Sequence, residues 1–233
     1  MNDYSNKSNN NPGMTVLIPT LNEEKNLPRI LPKIPPMITE ILIVDGHSRD
    51  DTVKVAKEIC PQSRIIYQKE KGKGDAIRTG IEEATGDIIV ILDADDSMDP
   101  GEIPKFIEPL LNGYDYAKGS RFLDGGGTND MPLYRRLADK AFVTLVNILY
   151  RAKFTDSSYG YKAFWKKSFQ DIDLRAEGFE IEAEIDIKAS KAHLKIKEVP
   201  CMEEKRFGGT PKLRTFSDGW RILRTIVGER FYG

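Results

Sequence analysis

Cysteine is scarce, with 2 in 233 residues. Cys60 and Cys201 lie far apart, and neither sits in a CxxC or Cys/His cluster. That argues against a disulfide framework and against a cysteine zinc site, and it suits a reducing compartment. Histidine is as rare, with 2, and His47 has no second histidine near it for a metal. Net charge is nearly absent: 35 basic against 36 acidic residues gives −1. No global basic field points to nucleic acid. No run reaches the roughly 18–20 apolar residues of a membrane span. The longest apolar-rich stretch, Leu137 to Tyr150, is broken by Asp139, Lys140 and Asn147. Residues 1–13 are rich in Asn and Ser and lack the apolar core of a secretory signal. A disordered lead-in is expected there.

What is present suits a globular α/β protein, with 39% hydrophobic and 30% charged residues. The length fits one domain over residues 14–233. Short apolar runs alternate with amphipathic stretches. Strands are expected at Thr15–Pro19, Glu40–Asp45, Arg64–Gln68, Ile88–Asp93, Tyr114–Ser120, Tyr161–Trp165 and Lys195–Pro200. Helices are expected after Asn22 (with Glu23 and Glu24 in the first turn), from Ser48 or Asp50 to Cys60, and at Asp75–Ala84 and Ile103–Asn112. Further on they are expected at Leu133–Tyr150, Phe179–Ala192 and Ser217–Gly228. Asp124–Gly127 and Glu203–Thr215 read as loops. The alternation predicts a parallel sheet covered on both faces. Ligands of such sheets sit beyond the carboxyl ends of the strands, which gathers Thr20, Asp45 and Asp93 on one edge.

Asp93-Ala94-Asp95 follows the strongest strand. Two carboxylates so spaced can hold a hard divalent ion with a diphosphate completing the shell. A second such triplet, Asp171-Ile172-Asp173, follows no strand and reads as solvated surface. A Gly-rich turn, Gly72-Lys73-Gly74, opens a helix; Lys71 and Lys73 there could approach phosphate or simply form an exposed basic turn. The turn after the first strand, Pro19-Thr20-Leu21-Asn22, is not the glycine turn of a dehydrogenase or methyltransferase. A non-catalytic binding module would be favoured by a broken metal pair, whereas Asp93 and Asp95 are intact.

The ordered set of motifs resembles glycosyltransferase family 2. It comprises Ile18-Pro19-Thr20-Leu21-Asn22-Glu23, Val44-Asp45-Gly46-His47-Ser48, Gly72-Lys73-Gly74-Asp75-Ala76, Asp93-Ala94-Asp95, Gly119-Ser120-Arg121-Phe122, Asp156 with Tyr159-Gly160, Glu198-Val199-Pro200, and Arg206 with Lys212. Within that family it is similar to the dolichol-phosphate mannose synthase-like branch. The resemblance implies a GT-A fold: an α/β, Rossmann-like, mostly parallel sheet with helices on both faces. It implies an inverting, metal-dependent transferase that uses a nucleoside-diphosphate sugar, such as GDP-mannose or UDP-glucose. Pro19, Thr20, Asn22, Glu23, Asp45, Lys73 and Ala94 would contact the donor. Asp93 and Asp95 would hold Mg²⁺ or Mn²⁺. Arg121, Arg206 and Lys212 would meet donor and acceptor phosphates, with Arg135 and Arg136 as further candidates. Many members carry an acidic residue where this chain has Gly46, so the base stays open.

Two acceptors remain open. A polyprenyl phosphate, dolichyl or undecaprenyl, is already ionised and needs no general base. A sugar or glycan hydroxyl needs a carboxylate, with Asp156, Glu180 and Glu182 as candidates. Helix periodicity allows at most one of Glu180 and Glu182 to point inward. Ala138, Phe142, Leu145, Val146 and Leu149 share a helical face that suits core packing or an interfacial helix. A lipid acceptor implies a cytoplasmic protein held peripherally at a membrane surface or by a membrane partner. Basic Lys212, Arg214, Arg221 and Arg224 would favour anionic lipid.

Overall fold

A computed structural model describes residues 11–209 and 215–231. Among these, nine strands follow in chain order: β1 (Met14–Thr20), β2 (Glu40–Asp45), β3 (Arg64–Tyr67), β4 (Ile88–Ile91), β5 (Tyr116–Ser120), β6 (Gly127–Thr128), β7 (Lys162–Trp165), β8 (Ile196–Pro200) and β9 (Met202–Glu203). The helices are α1 (Leu27–Ile30), α2 (Thr52–Ile59), α3 (Lys73–Glu83), α4 (Ile103–Leu111), α5 (Leu133–Tyr150), α6 (Ile181–Lys191) and α7 (Thr215–Phe231).

Seven strands form one sheet in the order β3-β2-β1-β4-β7-β5-β8. Only β7 runs against its neighbours. The expected α/β, mostly parallel GT-A sheet with helices on both faces is the one found. One face carries α1, α2 and α4, with Leu27, Ile30, Phe106 and Leu110 packed on Val16, Ile18, Ile43 and Val90. The other carries α3 and α6, with Ile77, Ile181 and Ile185 against Leu17, Leu42 and Ile91. Outside α6 lie α5 and α7, joined through Val143, Val146, Ala183, Ile187, Ile222 and Ile226. Each such side chain contributes roughly 1.5–3 kcal/mol by leaving water.

The reversal of β7 matters for function. Its first residue, Lys162, pairs with Ile91 at the end of β4, so the preceding segment 156–160 reaches the carboxyl edge.

Several expectations change. Asn22 caps no helix: its φ is 53°, and its Oδ1 accepts the Arg49 N–H at 2.7 Å. The helix waits until Leu27, and Glu23 and Glu24 precede it. Asp50, rather than Ser48, accepts the first N–H of α2, from Thr52 at 3.1 Å. The two predicted loops touch, because β6 pairs with β9. The apolar face of α5 is core, with Val146 buried and Phe142, Leu145 and Leu149 packed beside it. No described helix is long and apolar enough to cross a membrane. Lys212, Arg214 and most of residues 1–13 lie outside the described residues.

Candidate active site

At the carboxyl edge, a first cavity of about 630 Å³ opens over the ends of β1, β2 and β4. Pro19, Thr20, Asn22, Glu23, Lys73, Asp93, Ala94, Asp95 and Arg206 line it, with Lys71, Gly46, His47, Arg49 and Gln68. Asp45 does not. It is fully buried and accepts from Ser48 N at 2.8 Å, Ser48 Oγ at 2.6 Å and Thr20 Oγ1 at 3.2 Å. Its carboxylate builds the β2 turn instead of facing the cavity. The wall there is Gly46, His47 and Gln68.

The glycine turn behaves differently from a phosphate cradle. Gly72 has a φ of 96°. The Gly74 N–H is spent on Glu177 O at 2.8 Å. A Cβ on Gly74 would sit 2.0 Å from the Ala176 carbonyl oxygen, so only glycine allows the approach. This packing turns Lys73 inward, where its Nζ lies 2.6 Å from Asp93 Oδ1 and 2.8 Å from Glu182 Oε1. Burial disfavours its charge, but Asp93 and Glu182 outweigh that and keep it an ammonium.

Asp95 Oδ1 accepts from Ser97 N and Oγ, while Oδ2 meets Arg206 Nη2 at 2.7 Å. Residues 204–209 therefore lie across this loop: Glu204 N donates to Ser97 O, and the Arg29 guanidinium stacks 4.0 Å from the Phe207 ring centroid. Asp93 and Asp95 fit a divalent cation by their chemistry. Both are hard oxygen donors on one cavity wall, and each already faces a positive group. Burial, then the charges of Asp95 and Glu182, push the Asp93 carboxyl up against the pull of Lys73. Among the described residues no group of three or more His, Cys, Asp or Glu is placed to hold a metal ion, so a donor diphosphate would complete the shell of Asp93 and Asp95. The other triplet is surface: Asp173 pairs with exposed Arg175.

A second cavity of about 170 Å³ adjoins the first and shares Lys73, Asp93, Asp95, Phe179 and Arg206 with it. Its remaining wall includes Arg121, Arg135, Asp139, Ser157, Ser158 and Glu182. Arg121 is saturated. It grips Asp156 with Nε and Nη2, both at 2.8 Å, and reaches Glu203 at 3.1 Å and Ser158 Oγ at 2.9 Å. Arg136 donates to Met131 O and Thr128 O, away from the cavity. By contrast, Arg135 Nε and Arg206 Nε are buried without a hydrogen-bond partner among the described residues.

Glu180 and Glu182 are both buried, against the helical expectation. Glu180 lies at the N-cap of α6 and meets Arg221 at 2.8 Å. Glu182 sits between Lys73 and Lys162, each at 2.8 Å. Helix α6 is covered by the sheet on one side and by α5 and α7 on the other, so no face of it is free. Burial opposes the charge of Glu182, but Lys162 and Lys73 hold it down at about 2. Lys162 and Lys118 stand side by side on β7 and β5, fully buried. Asp186 lies 3.3 Å from Lys162 and 3.4 Å from Lys118, and Glu182 and Glu198 supply the remaining negative charge beside them. Sequence reading missed these lysines and Asp139. A lysine inside an apolar strand, and an acid inside an apolar helix face, were the available signals.

The glycosyl transferase family 2 profile matches residues 15–173. The chain belongs to that family. It is 36% identical over 210 residues to a dolichol-phosphate mannosyltransferase of Pyrococcus furiosus; the match covers 86% of this chain and 59% of that protein. It is 30% identical over 217 residues to a dolichyl-phosphate hexose transferase of Haloferax volcanii, covering 92% of each. Among solved structures, glucosyl-3-phosphoglycerate synthase from Mycobacterium tuberculosis, in complex with Mn²⁺ and UDP-glucose, superposes with a TM-score of 0.73 at 21% identity. That match covers 94% of this chain and 79% of the other, and it shows the same fold.

Proposed function

We propose that residues 14–233 form one catalytic unit that transfers a sugar, with inversion, from a nucleoside-diphosphate sugar to a polyprenyl phosphate. The observation that carries the acceptor is the pair of guanidinium nitrogens, Arg135 Nε and Arg206 Nε, that have no partner among the described residues and stand on the walls of the second cavity. A buried N–H without an acceptor costs roughly 1–3 kcal/mol, and a phosphate oxygen would satisfy each with a charge-assisted bond. The names of the Pyrococcus and Haloferax relatives support the same acceptor class.

In this reading the donor occupies the first cavity. Asp93 and Asp95 would hold Mg²⁺ or Mn²⁺, which offsets the charge growing on the departing diphosphate. Lys73 opposes the rise in the Asp93 carboxyl and holds that side chain in place. Arg206 spans both cavities and aligns the two substrates. The acceptor phosphate arrives ionised, so positioning and charge stabilisation suffice. The earlier base candidates fit that picture poorly as bases. Asp156 is locked by Arg121, and Glu182 is held between two ammonium groups.

The hydroxyl-acceptor alternative keeps one observation. Asp139 lines the second cavity and accepts from Ser157 Oγ and Ser158 Oγ at 2.8 and 2.7 Å. Burial, then the charge of Asp156, push its carboxyl up, as suits a proton acceptor.

Membrane contact follows from the acceptor. Leu133, Tyr134 and Leu137 on α5, and Phe216 and Trp220 on α7, are exposed, Phe216 by 92%. They stand on the same helix ends that supply Arg135, Ala138, Gly219 and Ile222 to the second cavity. Aromatic side chains with Arg224 beside them suit a bilayer interface at a cytoplasmic membrane face.

The test is metal-dependent release of nucleoside diphosphate from GDP-mannose and UDP-glucose, with and without a short polyprenyl phosphate. Release that rises with the lipid phosphate and is lost in Asp95→Ala supports the reading. Release that ignores the lipid phosphate contradicts it.

A further inference from the structure

The wall of the first cavity beyond β2 and β3 holds a polar atom that no described residue bonds. Gln68 follows β3 and is only 8% exposed, yet it lines the cavity. Its Nε2 donates to the Glu70 carbonyl at 2.7 Å. A backbone carbonyl can only accept, so the amino end of this amide must face it. Oε1 therefore points the other way. It accepts no hydrogen bond from the described residues, and it lies 2.9 Å from where a Cβ on Gly46 would stand. The absence of a side chain at Gly46 leaves that space to Gln68. Nearby, the His47 ring is stacked on Tyr67, with centroids 5.4 Å apart and planes 11° from parallel. Asp45 is buried and consumed by Ser48 and Thr20.

We infer that Gln68 is a specificity-determining residue that reads the nucleobase through Oε1, and that it selects bases carrying an imino N–H. This rests on the reading of the first cavity as the donor site. Uracil at N3 and guanine at N1 each present an N–H flanked by a carbonyl. Cytosine at N3 and adenine at N1 present a bare lone pair. In the pose that puts the ring nitrogen against Oε1, that lone pair meets a second acceptor and both are left unpaired; the exocyclic amino group of cytosine or adenine reaches Oε1 only if the base shifts along its edge. The fixed orientation of the amide prevents it from turning its amino end to such a base without giving up Glu70. The ligand class is thus a nucleoside diphosphate with a keto base, uridine or guanosine, over cytidine or adenosine.

The experiment is titration calorimetry with UDP, GDP, CDP and ADP, in the presence of Mn²⁺, on the wild type, Gln68→Met and Gln68→Glu. The wild type binds UDP, GDP or both at least tenfold tighter than CDP and ADP; whichever leads names the base. Gln68→Met narrows that gap to less than threefold. Gln68→Glu gives up the bond to Glu70 but still offers the base only acceptors, and keeps the gap above threefold. Pyrophosphate with Mn²⁺ has no base, and it binds the wild type and Gln68→Met within threefold of each other. A gap that survives in Gln68→Met, or wild-type binding of CDP or ADP as tight as that of UDP and GDP, overturns the role of Gln68. Pyrophosphate binding without binding of any nucleotide also overturns it, leaving the phosphate end of the site intact. Loss of all binding in the wild type, pyrophosphate included, overturns the donor-site reading itself.

Discussion

Arg121 and Asp156 meet in a two-pronged ion pair, Nε to Oδ2 and Nη2 to Oδ1, each at 2.8 Å. One residue ends the β5 edge and the other leads into the reversed strand β7. The pair therefore ties the two segments that wall the second cavity. Burial by itself would raise the Asp156 carboxyl; the Arg121 guanidinium outweighs it and holds the group well below the usual carboxylate range. The native state then binds fewer protons than the unfolded chain. The stabilisation is complete above the ordinary value of 3.8 and is lost as pH falls below it. Scanning calorimetry should show Asp156→Asn less stable at neutral pH by about 3–5 kcal/mol, since one partner of a buried pair is gone. Its melting temperature should also fall less steeply than that of the wild type below about pH 4. Parallel curves would remove Asp156 from this role.

Gly74→Ala tests the turn that aims Lys73. The new Cβ meets a backbone oxygen, so the turn must open. The cost expected is on the order of 2–3 kcal/mol, or a fall of roughly 5–10 °C in melting temperature. Activity should fall further than stability explains, because Lys73 leaves Asp93. An unchanged melt would show that the Ala176 backbone yields freely.

Asp139→Asn separates the two acceptors. With an ionised phosphate acceptor, kcat should stay within about tenfold of wild type, since no proton is taken. Loss of about 100-fold or more would mark Asp139 as a general base and favour a hydroxyl acceptor.

The fold was legible because each apolar strand ends in a turn or a polar residue and the period switches from 2 to 3.6. The direction of β7 was not. A four-residue strand, Lys162–Trp165, carries no mark of parallel or antiparallel pairing. The Asp93-Ala94-Asp95 corner was legible from its position after a strong strand taken together with the other motifs. The partners of Lys73, Arg121 and Glu182 were not, because each ion pair joins residues 20 to 109 positions apart by number, as Lys73 to Asp93 and Lys73 to Glu182 show. The place of Asp45 was not legible, because a carboxylate closing a strand can face a ligand or build its own turn, and the Ser48 that bonds it lies three residues on.

The exposed aromatics on α7 should matter for vesicle binding. Phe216→Ser with Trp220→Ser should weaken co-sedimentation with anionic vesicles by about tenfold or more, at roughly 2 kcal/mol for two aromatic side chains leaving the interface. Release of nucleotide with a short, water-soluble acceptor should be unaffected. Equal sedimentation of variant and wild type would place the contact elsewhere.

The most direct test of the acceptor compares two lipids of one chain length, a short polyprenyl phosphate and the matching polyprenol. Each is incubated with Mn²⁺ and sugar-labelled GDP-mannose or UDP-glucose, for the wild type and Arg135→Ala. Label should pass to the phosphate and not to the alcohol, and Arg135→Ala should need about 10–100 times more lipid phosphate for the same rate. Label on the alcohol, or equal lipid demand in both proteins, would contradict a phosphate seated between Arg135 and Arg206.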